Sequence, residues 1–157
     1  MVIQRWQSLM LLIATIVMVV FTFMSLGHIQ YQDYILNFTA IGFNVENSDI
    51  NNTPISGFVA YTWPLFVVSF LSFIMPLITL FLYKNLQLQK KLCLIEILFL
   101  MAVIITCVLY GYKTFEEGLI SWTIITGAPI IAICAVVMAY YRISADLKLL
   151  RSVDRIR

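Results

Sequence analysis

Four long apolar runs decide what this chain can fold into. The first extends from Leu9 to Leu26, the second from about Tyr61 to Tyr83 and the third from about Leu92 to Tyr112. The fourth ends at Tyr141 and begins between Ile120 and Ala128. A helix of about 20 apolar residues, rising about 1.5 Å per residue, crosses a bilayer core of about 30 Å. Lipid offers no hydrogen-bond partner to an open backbone, so apolar segments of that length cross as helices. Composition points the same way: 62% of the 157 residues are hydrophobic and 11% are charged, where soluble domains carry roughly 25% charged residues. Four spans consume about 80 residues, which leaves short connections and no separate soluble domain. The expected fold is an all-α transmembrane four-helix bundle, one membrane domain over residues 1–157 with spans at about 8–27, 61–83, 92–112 and 124–142. Arg5 and the stretch Ser25-Leu26-Gly27 imitate a signal peptide. The first run exceeds a signal peptide's apolar region of about 7–15 residues, so it reads as a retained span.

The basic residues set the expected orientation. Arg5 precedes the first span, Lys84, Lys90 and Lys91 lie in the inner loop at 84–91, and Arg142, Lys148, Arg151, Arg155 and Arg157 follow the fourth span. Lys113 alone falls on the other side. Positive charge is retained on the cytoplasmic face, so both termini are expected inside, with outer loops at 28–60 and 113–123 and a cytoplasmic tail at 143–157. Trp6, Tyr31, Tyr61, Trp63, Tyr83, Tyr110, Tyr112, Trp122, Tyr140 and Tyr141 cluster at the span ends, as an interfacial aromatic belt does.

The long outer loop has strand chemistry. Residues 34–45 are rich in aromatic and β-branched side chains, a polar turn-like stretch follows at 46–54, and residues 55–60 are apolar again. Leu119-Ile-Ser-Trp-Thr-Ile-Ile-Thr126 has the same character and stands just before Gly127-Ala-Pro129. The favoured reading is a small extracytoplasmic sheet joining the two outer loops, with Pro129 in the first turn of the fourth helix. The rival reading starts that helix near Ile120 and bends it at Pro129.

Few residues carry candidate chemistry. Glu96 is the one ionisable side chain well inside a span, by default a candidate proton relay or ion site. It stands five residues past Lys91, about 7.5 Å along a helix and therefore close to the interface. An ion pair with Lys90, Lys91, Arg5 or Arg142 is the favoured role. Pro76 lies mid-span and reads as a bend that denies the Ser72 carbonyl its donor. His28 closes the first span with no visible metal partner or acid. Cys93, Cys107 and Cys134 lie far apart within apolar runs and read as small fillers, not as zinc or disulfide ligands. Ala128, Ala132, Ala135 and Ala139 form a small-residue packing face, turned either to the chain's own bundle or to a second protein.

The tail beyond Arg142 is amphipathic. Ile143, Leu147, Leu150 and Val153, with Leu149 or Ile156, recur at spacings of three and four. Arg142, Lys148, Arg151, Arg155 and Arg157, together with Lys90 and Lys91, are the candidate interaction residues. They suit anionic lipid headgroups or a membrane protein partner. No nucleic-acid partner is expected from a short tail with both charge signs. The phosphate-loop, zinc-protease and nucleophile-elbow motifs are absent from the sequence, and no metal or cofactor is expected.

Three stretches carry a family resemblance: Met1-Val-Ile-Gln-Arg-Trp-Gln-Ser-Leu-Met-Leu-Leu-Ile-Ala14, Leu82-Tyr-Lys-Asn-Leu-Gln-Leu-Gln-Lys-Lys-Leu-Cys93 and Asp146-Leu-Lys-Leu-Leu-Arg-Ser-Val-Asp-Arg-Ile-Arg157. The chain resembles the small four-span membrane proteins of Bacteroidota grouped as domain-of-unknown-function family 4293. The resemblance implies a bacterial inner membrane and four helices, and it brings no activity. The functional expectation is a non-enzymatic accessory or scaffold subunit of a membrane complex. The alternative is a small transporter or lipid-handling protein using Glu96 and the Pro76 bend.

Overall fold

Every apolar run becomes a helix, and polar residues at its ends decide how far that helix continues. The computed structural model describes residues 2–31, 34–46, 58–83, 85–113 and 119–154. Its helices are α1 (Val2–Phe23), α2 (Trp63–Phe81), α3 (Leu86–Lys113) and α4 (Ala128–Asp154). Each contains a stretch long and apolar enough to cross a membrane. α1 and α3 each pack against both α2 and α4, so the four enclose a shared interior.

The outer surface of the helices is apolar, unlike that of a water-soluble bundle, around an interior that is also mainly apolar. Leu12, Ile16, Val67, Leu71, Leu98, Ile105, Ile131 and Met138 face outward, exposed. The inward face of α2 carries Leu65, Ser69, Ser72, Pro76 and Thr79 at spacings of three and four. Water would reverse that preference; hydrocarbon does not, because outward leucines meet a solvent as apolar as themselves. α4 turns Ala128, Ala132, Ala135 and Ala139 into the interior, all buried. The alanine face is therefore used within the chain, where small side chains let the backbones approach.

Two helices outrun their apolar runs. α3 starts at Leu86, inside the segment expected to be the inner loop, because Gln89 is buried and its Nε2 donates to the Thr79 carbonyl of α2 at 3.3 Å. α4 continues past Arg142 without a break. Ile143 is fully buried and Leu147 packs against the core, so the first turns of the expected tail belong to the bundle. The polar stretch at 47–54 and Lys84 lie outside the described residues.

A five-stranded antiparallel sheet caps one end, made of β1 (Gly27–Tyr31), β2 (Tyr34–Phe38), β3 (Gly42–Glu46), β4 (Phe58–Tyr61) and β5 (Leu119–Trp122) in the order β4-β3-β2-β1-β5. The region expected as one strand at 34–45 is two, folded back at a turn where Thr39 Oγ1 donates to the Gly42 carbonyl at 2.8 Å. β5 and a 3-10 turn at Ile124–Gly127 precede α4, which places Pro129 in its first turn, where a missing N–H has no helical acceptor to lose. Period-two alternation sends Ile29, Leu36, Phe38 and Phe43 inward while His28 and Gln30 are exposed. Phe38 stacks on Phe43 with ring centroids 4.7 Å apart and meets Trp122 edge-on at 6.3 Å.

The sheet is tied to three helix ends. The carbonyl of Leu26, just past α1, accepts from Thr123 N at 3.0 Å and from Thr126 Oγ1 at 2.5 Å, which fixes the approach to α4. Thr62, just before α2, donates through Oγ1 to the Ala40 carbonyl at 2.8 Å and through its N–H to the Ile41 carbonyl at 3.1 Å.

Candidate functional site

Glu96 lies on the inner face of α3, on a line with Gln89, Cys93, Leu100, Val103 and Cys107, all buried. It is 0% exposed, and neither carboxyl oxygen has a hydrogen-bond partner. The expected ion pair is not formed. Lys90 instead places its ammonium over the Tyr140 ring, 5.1 Å from the centroid, which a cation–π contact accounts for. Lys91 and Arg142 are exposed.

The level of Glu96 along the bundle follows from Gln89. Gln89 reaches Thr79, so two turns along α3 brings Glu96 beside the part of α2 two turns back, around Ser72. That places the two at one level to within about a turn, ~5.4 Å. Ser72 is midway along α2. Glu96 therefore lies level with the middle of α2 within the bundle.

Ser69 and Ser72 bring two more polar groups to the inner face of α2. Both are fully buried, and neither hydroxyl has a partner. The threonines of the helices behave differently: Thr15, Thr22, Thr79 and Thr106 each donate to the carbonyl four residues earlier, at 2.8–2.9 Å. Pro76, also buried, has no N–H to offer the Ser72 carbonyl. One carboxyl group, two hydroxyls and one carbonyl without its ordinary helical donor thus lie on the buried parts of α3 and α2, two helices that pack against each other.

The basic candidates gather at the end opposite the sheet. α1 begins there, α2 joins α3 there and α4 ends there. Lys148 is exposed, Arg151 lies on the last turn of α4, and Arg155 and Arg157 lie outside the described residues. Leu149 and Leu150 are exposed beside Lys148. Gln7 donates through Nε2 to Asp146, joining the first turns of α1 to this part of α4. Among the described residues no group of three or more His, Cys, Asp or Glu side chains could hold a metal ion.

The family model described as Domain of unknown function (DUF4293) matches residues 3–156. The chain belongs to that family. No curated protein and no solved structure matches it. The match covers the sheet and all four apolar helices, so DUF4293 here describes a membrane protein of unknown function. Within this DUF4293 chain, sequence reasoning found Glu96, Pro76 and the Ser72 carbonyl but missed Ser69, the Ser72 hydroxyl, Gln7 and Gln89. The signal for the serines was present: small polar residues recurring at the period of Leu65, Pro76 and Thr79 inside an apolar run.

Proposed function

We propose that this DUF4293 protein is a non-enzymatic accessory or scaffold subunit of a bacterial inner-membrane complex, with both chain ends in the cytoplasm. The observation that carries this reading is the end of α4. There the helix extends beyond its own packing and presents Lys148 beside exposed Leu149 and Leu150. Such a surface suits anionic headgroups, at about 1 kcal/mol per basic residue near the membrane, and an apolar strip on a membrane protein partner. The positive-inside distribution supports the orientation. Purification in mild detergent should recover stoichiometric partners with the wild type and lose them with the combined Lys148→Glu and Leu149→Glu variant. Point variants suit this test better than deleting the tail, because Ile143 and Asp146 hold the bundle together. A solitary chain in both preparations would remove the proposal.

A second reading, a small transporter or lipid-handling protein, is favoured by one observation: the buried Glu96 without a partner, near the level of Pro76 on α2. It expects solute or lipid movement in proteoliposomes that Glu96→Gln abolishes. Equal movement by the variant would remove it.

A further inference from the structure

We infer that Glu96, Ser69, Ser72 and the Ser72 carbonyl form a binding site for a single monovalent alkali cation of sodium size in the bundle interior. The inference draws on the second reading above for the site alone; it does not require that anything moves.

The first argument is charge. An unpaired carboxylate removed from water is costly by many kcal/mol, so in hydrocarbon it is paired, coordinated or neutralised. Glu96 is fully buried and has no partner. Of the two lysines before it on α3, Lys91 is exposed and Lys90 is engaged with the Tyr140 ring on α4. A cation bound from outside the chain would supply the balancing charge, as a proton would. One carboxylate balances one unit charge, and a divalent ion would leave an excess buried.

The second argument is the oxygen set. A proton on the carboxyl group would make one O–H donor, which needs one acceptor. Here two hydroxyls on the facing helix are fully buried and unpartnered as well. Bonding to the carbonyl one turn back is what Thr79 does on the same helix, at 2.8 Å, yet Ser69 and Ser72 do not do so. Pro76 leaves the Ser72 carbonyl without its usual donor at the same level. Carboxylate, hydroxyl and carbonyl oxygens are hard ligands suited to hard cations. In some secondary transporters, backbone carbonyls released from helical bonding coordinate sodium. The carboxyl group and the two hydroxyls all lack partners, and a cation held among them would satisfy all three.

The titratable groups around this site are few. Cys93 lies one turn before Glu96 on α3 and Cys107 lies three turns beyond it, both buried.

The test uses the full chain, purified in detergent, with choline chloride exchanged for sodium chloride at constant ionic strength. Wild type should show a saturable rise in melting temperature with sodium and bind radiolabelled sodium at one ion per chain. Glu96→Gln should lose both. Ser72→Ala, which keeps the carboxyl and preserves the test if Glu96→Gln does not fold, should weaken apparent sodium affinity by roughly tenfold, the loss of one ligand's worth of binding. Ser144→Ala removes another buried, unpartnered hydroxyl, one near the tail end of α4, and should leave the response intact. Equal melting in sodium and choline, stabilisation that follows pH alone, or a sodium response surviving Glu96→Gln overturns the site. Sodium binding without flux in sealed vesicles keeps the site and removes transport. Flux without saturable sodium binding keeps transport and removes the site.

Discussion

Gly27 stands in β1 between Trp122 of β5 and Phe38 of β2, and its missing side chain lets those two rings meet across it. A Cβ there would lie 2.9 Å from the Ser121 carbonyl oxygen, a backbone atom that cannot step aside without opening the β1–β5 pairing. Gly27→Ala is therefore expected to destabilise by about 1–3 kcal/mol, the usual range for overpacking, read as a lowered melting temperature. Gly127 offers the contrast, since a Cβ there meets nothing within 4 Å. Gly127→Ala should be neutral or stabilise by about 0.4–1 kcal/mol through the unfolded chain. An equal loss in both variants would show that close approach at Gly27 is not what matters. At this scale the sequence was legible in kind but not in partnership. Glu96 was recognisable as an intramembrane acid, yet its ion pair was not formed, because the ring of Tyr140, far along the chain, claims Lys90. Pairings of that sort depend on which helices become neighbours, which a single run of residues does not encode.

Between elements, single side chains hold the tail end of the bundle. Gln7 of α1 donates to Asp146 of α4, a hydrogen bond to a charged group and so worth about 1.5–3 kcal/mol. A double-mutant cycle with Gln7→Ala and Asp146→Ala should show coupling of that order in thermal unfolding, and additive losses would contradict it. At the sheet, Thr62→Val should loosen the start of α2 by about 1–3 kcal/mol, because the Ala40 carbonyl is left unsatisfied in a buried place. Faster hydrogen exchange at the Thr62 amide is the measurement. The four helices and β5 were legible because length, hydropathy and Pro129 all agree there. β1 was hidden: Gly27-His-Ile-Gln-Tyr31 is short, directly follows an apolar run and owes its strand to β2 on one side and to the remote β5 on the other. The start of α3 was obscured for a related reason. Gln-rich residues resemble a loop until the carbonyl that Gln89 bonds is known.

For the molecule as a whole, the sheet and the basic end are opposite poles, and the proposed orientation assigns them to opposite sides of the membrane. In a background lacking the native cysteines, Gln30→Cys should react with an impermeant maleimide in intact spheroplasts. Ser152→Cys should react only after the membrane is opened. The reverse pattern would invert the orientation. Both positions are exposed, so reactivity reports sidedness and not burial. The hydrogen bonds from the sheet to the ends of α1, α2 and α4 also make the two poles mechanically unequal. One end is lashed by backbone carbonyls at Leu26, Ala40 and Ile41, whereas the other is joined by side-chain contacts at Gln7, Gln89 and Lys90. Glu96 also lies nearer the Leu86 start of α3 than its Lys113 end. An ion held at the proposed site is therefore expected to enter from the side of the basic residues, past contacts that side chains alone make.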